Sequence, residues 1–308
     1  MSAPTLQKQP SKAMVIAAFA ALYIIWGSTY TAILIAIREV PPLLMAGIRF
    51  SVAGLLLYLY LRIKGESTPR PATIGKISVG GFLMLFIGTG SVAWVEQYIS
   101  SGLAAIIVAS TPLWFVLLDK REWKNNFSSK WVLFGLLIGF AGILTLFSDK
   151  DAFSFKGNQM KLISFFVLLV GTISWAVGSL YSKYKPIEAS TSMKAAVQMM
   201  AAGCFAIITS AVSGEFDHVY LQNITYSSVL AIGYLIVMGS LVGYMAYIWL
   251  LSVRSATLVG TYAYVNPVVA LFLGWLIAGE QINAQQITAL TVILGGVILI
   301  ALAKSKIK

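Results

Sequence analysis

A chain of 308 residues that is 58% hydrophobic and only 11% charged, with a mean hydropathy of +0.84, carries more apolar surface than a soluble domain of its size can bury. The formal net charge of +11 does not point to nucleic acid, because the basic residues fall in short loops between apolar runs, where they orient a membrane protein. One Cys excludes an intrachain disulfide framework, and one His, His218, leaves no histidine cluster for a metal, so neither metal nor cofactor is expected.

Residues 1–12 read as a short polar tail. Ten apolar segments follow, each expected to be a helix because an isolated strand cannot satisfy its backbone in lipid. The pattern places them at Ala13–Ile37, Leu43–Leu61, Ile74–Tyr98, Gly102–Leu118, Trp131–Phe147, Leu162–Tyr181, Met193–Ser213, Ser227–Leu251, Ala256–Ala278 and Ala284–Ala303. The first is too long for a signal-peptide core and precedes many like it. With the N-terminus inside, 17 Lys and Arg fall in cytoplasmic segments and 4 on the opposite side, so both termini are expected in the cytoplasm. Arg49, inside a helix, completes the basic set.

Two of these segments are interrupted in the same way. Thr111-Pro112 sits within the fourth and Asn266-Pro267 within the ninth, and a proline removes a backbone donor and clashes with the carbonyl four residues earlier. Pro112 and Pro267 are therefore expected helix breaks, the second as a kink near Val265-Asn266. The halves also repeat. Trp26 and Trp175 are offset by 149, as are Arg49-Phe-Ser-Val-Ala-Gly54 and Gln198-Met-Met-Ala-Ala-Gly203; Trp94 and Trp249, like Pro112 and Pro267, are offset by 155, and Gly142 and Gly296 by 154. Five spans per copy force the second copy upside down, so the expected fold is an all-α integral membrane protein of ten transmembrane helices in two inverted five-helix repeats. Matched broken segments of this kind point to the solute site of a carrier.

The candidate site residues follow from cost. Arg49 is the one basic residue deep in a predicted span, where a charge costs about 2.5–3.5 kcal/mol. It reads either as a clamp on helix-end carbonyls or as the contact for an anionic solute group, while the neutral Gln198 holds the matching position. Glu96, near the end of the third span, either snorkels to the interface or, in a dry cavity, carries a proton, and a pair with Arg49 is conceivable. Gln97 lies beside it. Of the many aromatics, Trp26, Tyr30, Trp94, Trp114, Trp175, Tyr244, Tyr262 and Tyr264 are cavity candidates with Asn266, against the alternative of an interfacial belt. Trp114, Tyr262 and Tyr264, next to the prolines, rank first, and such a wall suits an apolar, aromatic or cationic solute. Gly135-x3-Gly139 and the other paired glycines read as helix-packing surfaces, with a homodimer contact as the alternative use.

Ile25-Trp-Gly-Ser-Thr-Tyr30, Pro42 to Phe50, Ser101 to Ile107, Thr111-Pro112, Trp175-Ala-Val-Gly-Ser179, Ala263-Tyr-Val-Asn-Pro267 and Gly279-Glu280 together resemble the drug/metabolite transporter superfamily, EamA type. The resemblance covers essentially the whole chain. It implies a first repeat at 13–147, an extracytoplasmic connector at 148–161, a second repeat at 162–303 and a basic cytoplasmic tail at 304–308. It further implies a cavity lined mainly by helices 1, 3, 4, 6, 8 and 9, and export of amino acids, metabolites or toxic compounds across the bacterial inner membrane; sugar-phosphate or nucleotide-sugar exchange, and a channel, remain as alternatives. No nucleophile–base set, metal-protease motif or phosphate-binding loop is present, so the expected role is not enzymatic and ATP does not drive it directly. The expected partners are a small solute and the lipid bilayer.

Overall fold

The structure, a computed structural model, describes residues 11–147, 159–279 and 281–305, which are helix and turn throughout. Lys8, Lys150, Lys156, Glu280, Lys306 and Lys308 lie outside the described residues. The long helices, in chain order, are α1 (Lys12–Ala36), α2 (Pro42–Ile63), α3 (Pro71–Val95), α4 (Ser101–Leu118), α5 (Lys130–Phe147), α6 (Gln159–Tyr184), α7 (Thr191–Val212), α8 (Tyr226–Val253), α9 (Ala256–Ile277) and α10 (Ala284–Ser305). All but α5 and α10 are long and apolar enough to cross a bilayer, and those two carry shorter apolar stretches, Lys130–Gly139 and Ala284–Ile300.

Helix ends follow local chemistry. Ser11, Ser100, Ser190 and Ser255 each accept, through the side chain, the backbone N–H three residues on, at 3.0–3.3 Å, which satisfies one orphan donor of α1, α4, α7 and α9. Pro42 and Pro71 open α2 and α3, where a missing N–H costs nothing. Gly65 and Gly214 stop α2 and α7 with φ of +87° and +75°, a left-handed turn that other residues resist.

Regular helix gives way at five places. Leu22–Trp26, Phe82–Thr89 and Leu235–Tyr244 are π-helical stretches within α1, α3 and α8, a form that recurs at functional sites. In α4 the break falls at residues 109–110, just ahead of Pro112, and the Thr111 hydroxyl donates to the Val108 carbonyl that the proline leaves without its amide, at 2.6 Å. The expected kink at Val265-Asn266 is not where α9 breaks. Helix runs unbroken over Tyr262–Ala278 with Pro267 inside it, and the break lies upstream at Gly260-Thr261. There the amides of Ala263 and Tyr264 bond the carbonyls three residues back, at 3.0 and 3.1 Å, and a Cβ on Gly260 would meet the Phe115 ring at 2.8 Å. The turn thus coincides with a close contact of α9 with α4 at a glycine, and it precedes the proline by six residues.

Two helix pairs pack closely and reciprocally. A Cβ on Gly54 of α2 would lie 2.6 Å from the backbone of Met200 in α7, and one on Gly203 of α7 would lie 2.5 Å from the backbone of Ser51. In the same way Gly135, Gly139 and Gly142 of α5 step along Ile300, Gly296 and Ile293 of α10 in antiparallel order. Large aliphatics such as Ile16, Leu137 and Ile208 are exposed at 67%, 69% and 61%, as a lipid-facing surface requires. Buried side chains form two clusters, one containing Ile33, Ala36, Ala105 and Ile293, the other Leu22, Leu57, Ala196 and Leu250, and the site lies where they meet.

Candidate functional site

The site begins with two glycines that make room for two indoles. Gly88, in the π-helical part of α3, faces Trp175 of α6, whose Cε3 would be 3.0 Å from an added Cβ. Gly243, in the π-helical part of α8, faces Trp26 of α1, whose Nε1 would be 2.4 Å from an added Cβ. The two indoles meet edge to face at 5.5 Å between centroids. Tyr247 and Tyr262 complete the cluster, lying 5.2 and 4.8 Å from Trp26. Such contacts contribute about 0.5–1.5 kcal/mol each beyond their burial. Polar edges are held as well: Trp26 Nε1 donates to the Gly239 carbonyl at 3.0 Å, Trp175 Nε1 donates to the Tyr247 hydroxyl at 3.0 Å, and that hydroxyl pairs with Ser179 at 2.6 Å.

This cluster borders a cavity in which the centre of a water-sized solute reaches about 70 Å³. That holds a few waters at about 10–15 Å³ each, so a larger solute enters only if the helices part. α1 supplies Trp26, Thr29, Tyr30 and Ile33, the i, i+3, i+4, i+7 stripe of one helix face. Tyr262 and Asn266 of α9 share a face by the same spacing.

Among the described residues the cavity is lined by one charged side chain, Arg49, and by no carboxylate. Arg49 is 5% exposed; its Nε donates to Ser240 at 2.9 Å and its guanidinium lies 4.9 Å from the Phe50 ring centre. No ion pair reaches it among the described residues, so the conceived Arg49–Glu96 pair does not form there. On the opposite wall Asn266 is buried, and its Oδ1 accepts no hydrogen bond among the described residues. Four lining hydroxyls, of Thr29, Ser91, Thr111 and Thr172, all donate to backbone carbonyls three residues back in their own helices, at 2.6–2.8 Å, and so turn lone pairs to the cavity.

Of the residues singled out from the sequence, the fold brings Trp26, Tyr30, Arg49, Trp175, Tyr244, Tyr262 and Asn266 to this one cavity. Trp94 instead lines an apolar groove with Phe86, Ile163 and Phe166, its ring tilted against that of Tyr98 at 5.0 Å between centroids. Gln97 is exposed and donates to the Trp94 carbonyl at 2.9 Å. Trp114 lies off the cavity and donates to Ser110 at 3.2 Å, while Tyr264 is buried behind it. Glu96 is 3% exposed and lies outside the lining, near Tyr30. Thr29, Phe50, Ser91, Thr172 and Gly243 carry no site reading in the sequence, where Thr111 marks only a helix break and Gly88 only a packing surface; the offset of 155 between Gly88 and Gly243, the same as between the prolines, is the signal that could have found the two glycines.

One acidic group outside the spans is tuned by its contacts. Glu39, in the turn between α1 and α2, has its carboxyl held below the usual range by the Ser228 hydroxyl and the Thr225 backbone N–H, and the latter bond is 2.7 Å long. It ties the end of α1 to the start of α8.

A family profile described as the EamA-like transporter family matches residues 12–148 and again 162–302. The chain belongs to the EamA-like transporter family. It is a membrane transporter, and its setting is a lipid bilayer with a small-molecule solute. Members similar to it include "Uncharacterized inner membrane transporter YedA" of Escherichia coli strain K12, 39% identical over 92% of this chain and 89% of the relative. "Uncharacterized transporter YoaV" of Bacillus subtilis is 26% identical over 89% of this chain and 92% of the relative. A Salmonella typhimurium protein named "Probable amino-acid metabolite efflux pump" is 24% identical over 89% of this chain and 90% of the relative. A solved crystal structure superposes on 95% of this chain, covering 98% of its own, with a TM-score of 0.65 at 16% identity, which shows a shared fold alone.

Proposed function

We propose that this EamA-like protein is a secondary exporter of small metabolites, amino acids foremost, working by alternating access around the cavity between Trp26 and Trp175. The reading takes all ten long helices as membrane spans, arranged as two inverted five-helix halves in the bacterial inner membrane with both termini in the cytoplasm. The observation that carries it is reciprocity. Gly88 receives Trp175 as Gly243 receives Trp26, and Gly54 meets Met200 as Gly203 meets Ser51. Likewise the Glu66 carboxylate accepts from Ser190 at the start of α7, and the Glu215 carboxylate accepts from the Leu43 and Leu44 amides at the start of α2. A twofold axis in the membrane plane that exchanges the halves accounts for each pair, and a solute site on such an axis is reachable from either side by the same motion.

The breaks at 109–110 and 260–261 are where α4 and α9 flex as the halves rock. Glu96, buried beside Tyr30, is the candidate for proton coupling, a role that ends if Glu96→Gln leaves export both active and pH-dependent. No chemistry on the solute is required. Counterflow in proteoliposomes tests the whole reading: saturable exchange of labelled amino acids supports it, exchange of sugar phosphates or nucleotide sugars alone moves the substrate class, and flux without counterflow favours a channel.

A further inference from the structure

Resting on the reading of this cavity as the solute site, we propose that it selects its solute by a carboxylate, with Arg49 as the specificity-determining residue. A ring-bearing or aliphatic acid is carried, and the amine left when that carboxylate is removed is not.

Arg49 is held in the wall of the cavity by Ser240 through Nε and by the Phe50 face, and no carboxylate among the described residues pairs with it. A guanidinium has five N–H donors in a planar fork, and a bond to Nε leaves donors able to take a carboxylate. Gly239 opens the approach: an added Cβ there would lie 2.8 Å from Nη2 of Arg49.

A structural clamp does not need this charge. At the matching position of the other half, Gln198 does the clamping as a neutral amide, accepting from the Tyr244 hydroxyl at 2.8 Å and donating to Ser182 at 2.9 Å, and it does not line the cavity. The rest of the wall offers acceptors: the Asn266 Oδ1 and hydroxyl oxygens whose protons are already committed. An N–H group beside the carboxylate is therefore welcome. A lone ammonium is not, since it would sit near a guanidinium and leave that group's free donors without the carboxylate they fit.

The test is competition in counterflow by the purified full-length protein, using acid–amine pairs that share a tail: phenylalanine and phenethylamine, tryptophan and tryptamine, leucine and isopentylamine, with 3-phenylpropionate and phenylalanine methyl ester. The expected result is that each exchanged acid outcompetes its amine and ester by roughly 10- to 100-fold, the range that a hydrogen bond to a charged group supports, and that 3-phenylpropionate still competes. Arg49→Gln should abolish this acid preference and Arg49→Lys should retain part of it. If neither variant folds, the wild-type series decides alone. Exchange that is indifferent to the carboxylate, or an acid preference intact in Arg49→Gln, overturns the assignment while leaving the transporter reading in place; no exchange of any member overturns both.

Discussion

Gly243→Ala is a sharp test of how the site is built. The new methyl group would sit 2.4 Å from Trp26 Nε1 and 2.8 Å from its Cδ1, with the Met238 carbonyl at 3.2 Å on the other side. Trp26 cannot step aside freely: its N–H is bonded to Gly239, and Trp175, Tyr247 and Tyr262 surround the ring at 4.8–5.5 Å. Overpacking of this kind costs about 1–3 kcal/mol, and losing the indole hydrogen bond adds about 1–3. Alanine returns about 1 kcal/mol in helix propensity, which leaves a net loss of roughly 1–5 kcal/mol. Gly88→Ala, whose methyl would meet Trp175 at 3.0 Å or more, should cost less, and Gly75→Ala and Gly233→Ala, with nothing within 4 Å, should be neutral or slightly stabilising. Thermal unfolding in detergent, paired with counterflow, reads this order. Equal melting temperatures and transport for Gly243→Ala and Gly75→Ala would refute the close approach of α8 to Trp26.

Tyr247→Phe removes the oxygen that accepts from Trp175 and pairs with Ser179, and should lower stability by about 1–3 kcal/mol in the same melts, because the buried indole N–H then lacks its partner. Ser240→Ala takes from Arg49 Nε the hydroxyl it bonds at 2.9 Å and should weaken solute binding, read as a raised half-saturation constant in counterflow. Glu39 has a lowered folded-state pKa, so its bonds to α8 are present above the ordinary carboxylate range and are lost as pH falls through the depressed value. Hydrogen exchange at the Thr225 amide should therefore be unchanged between pH 8 and about 5 once corrected for intrinsic rates, rise at lower pH, and be fast at neutral pH in Glu39→Gln.

The sequence made the membrane setting, the paired tryptophans and the lone buried arginine legible, because each rests on composition, a fixed offset or a high cost of burial. Which aromatics reach the cavity was less legible. Proximity to a proline says where a helix may be cut but not which way its side chains point. Tyr262 and Tyr264, two residues apart, are about 200° apart around a helix and cannot both face one cavity; only Tyr262 does. Trp114 shares a face with the lining residue Thr111 but sits a turn further along, beyond the cavity. The break in α9 falls where Gly260 packs against Phe115, more than a hundred residues away in the chain, a contact that no local pattern encodes. Glu96 was legible as a costly carboxylate, yet its separation from Arg49 is set by tertiary packing that no local pattern encodes.

The most direct test of alternating access uses thiol labelling. With the single native thiol removed by Cys204→Ala, which lies exposed on α7, Thr29→Cys places one thiol in the cavity wall. An impermeant maleimide is then applied to right-side-out and inside-out vesicles with and without a solute gradient. The account predicts labelling from both sides, with saturating solute protecting the thiol and the gradient shifting the two rates in opposite directions. Labelling from one side only, under every gradient, would contradict it.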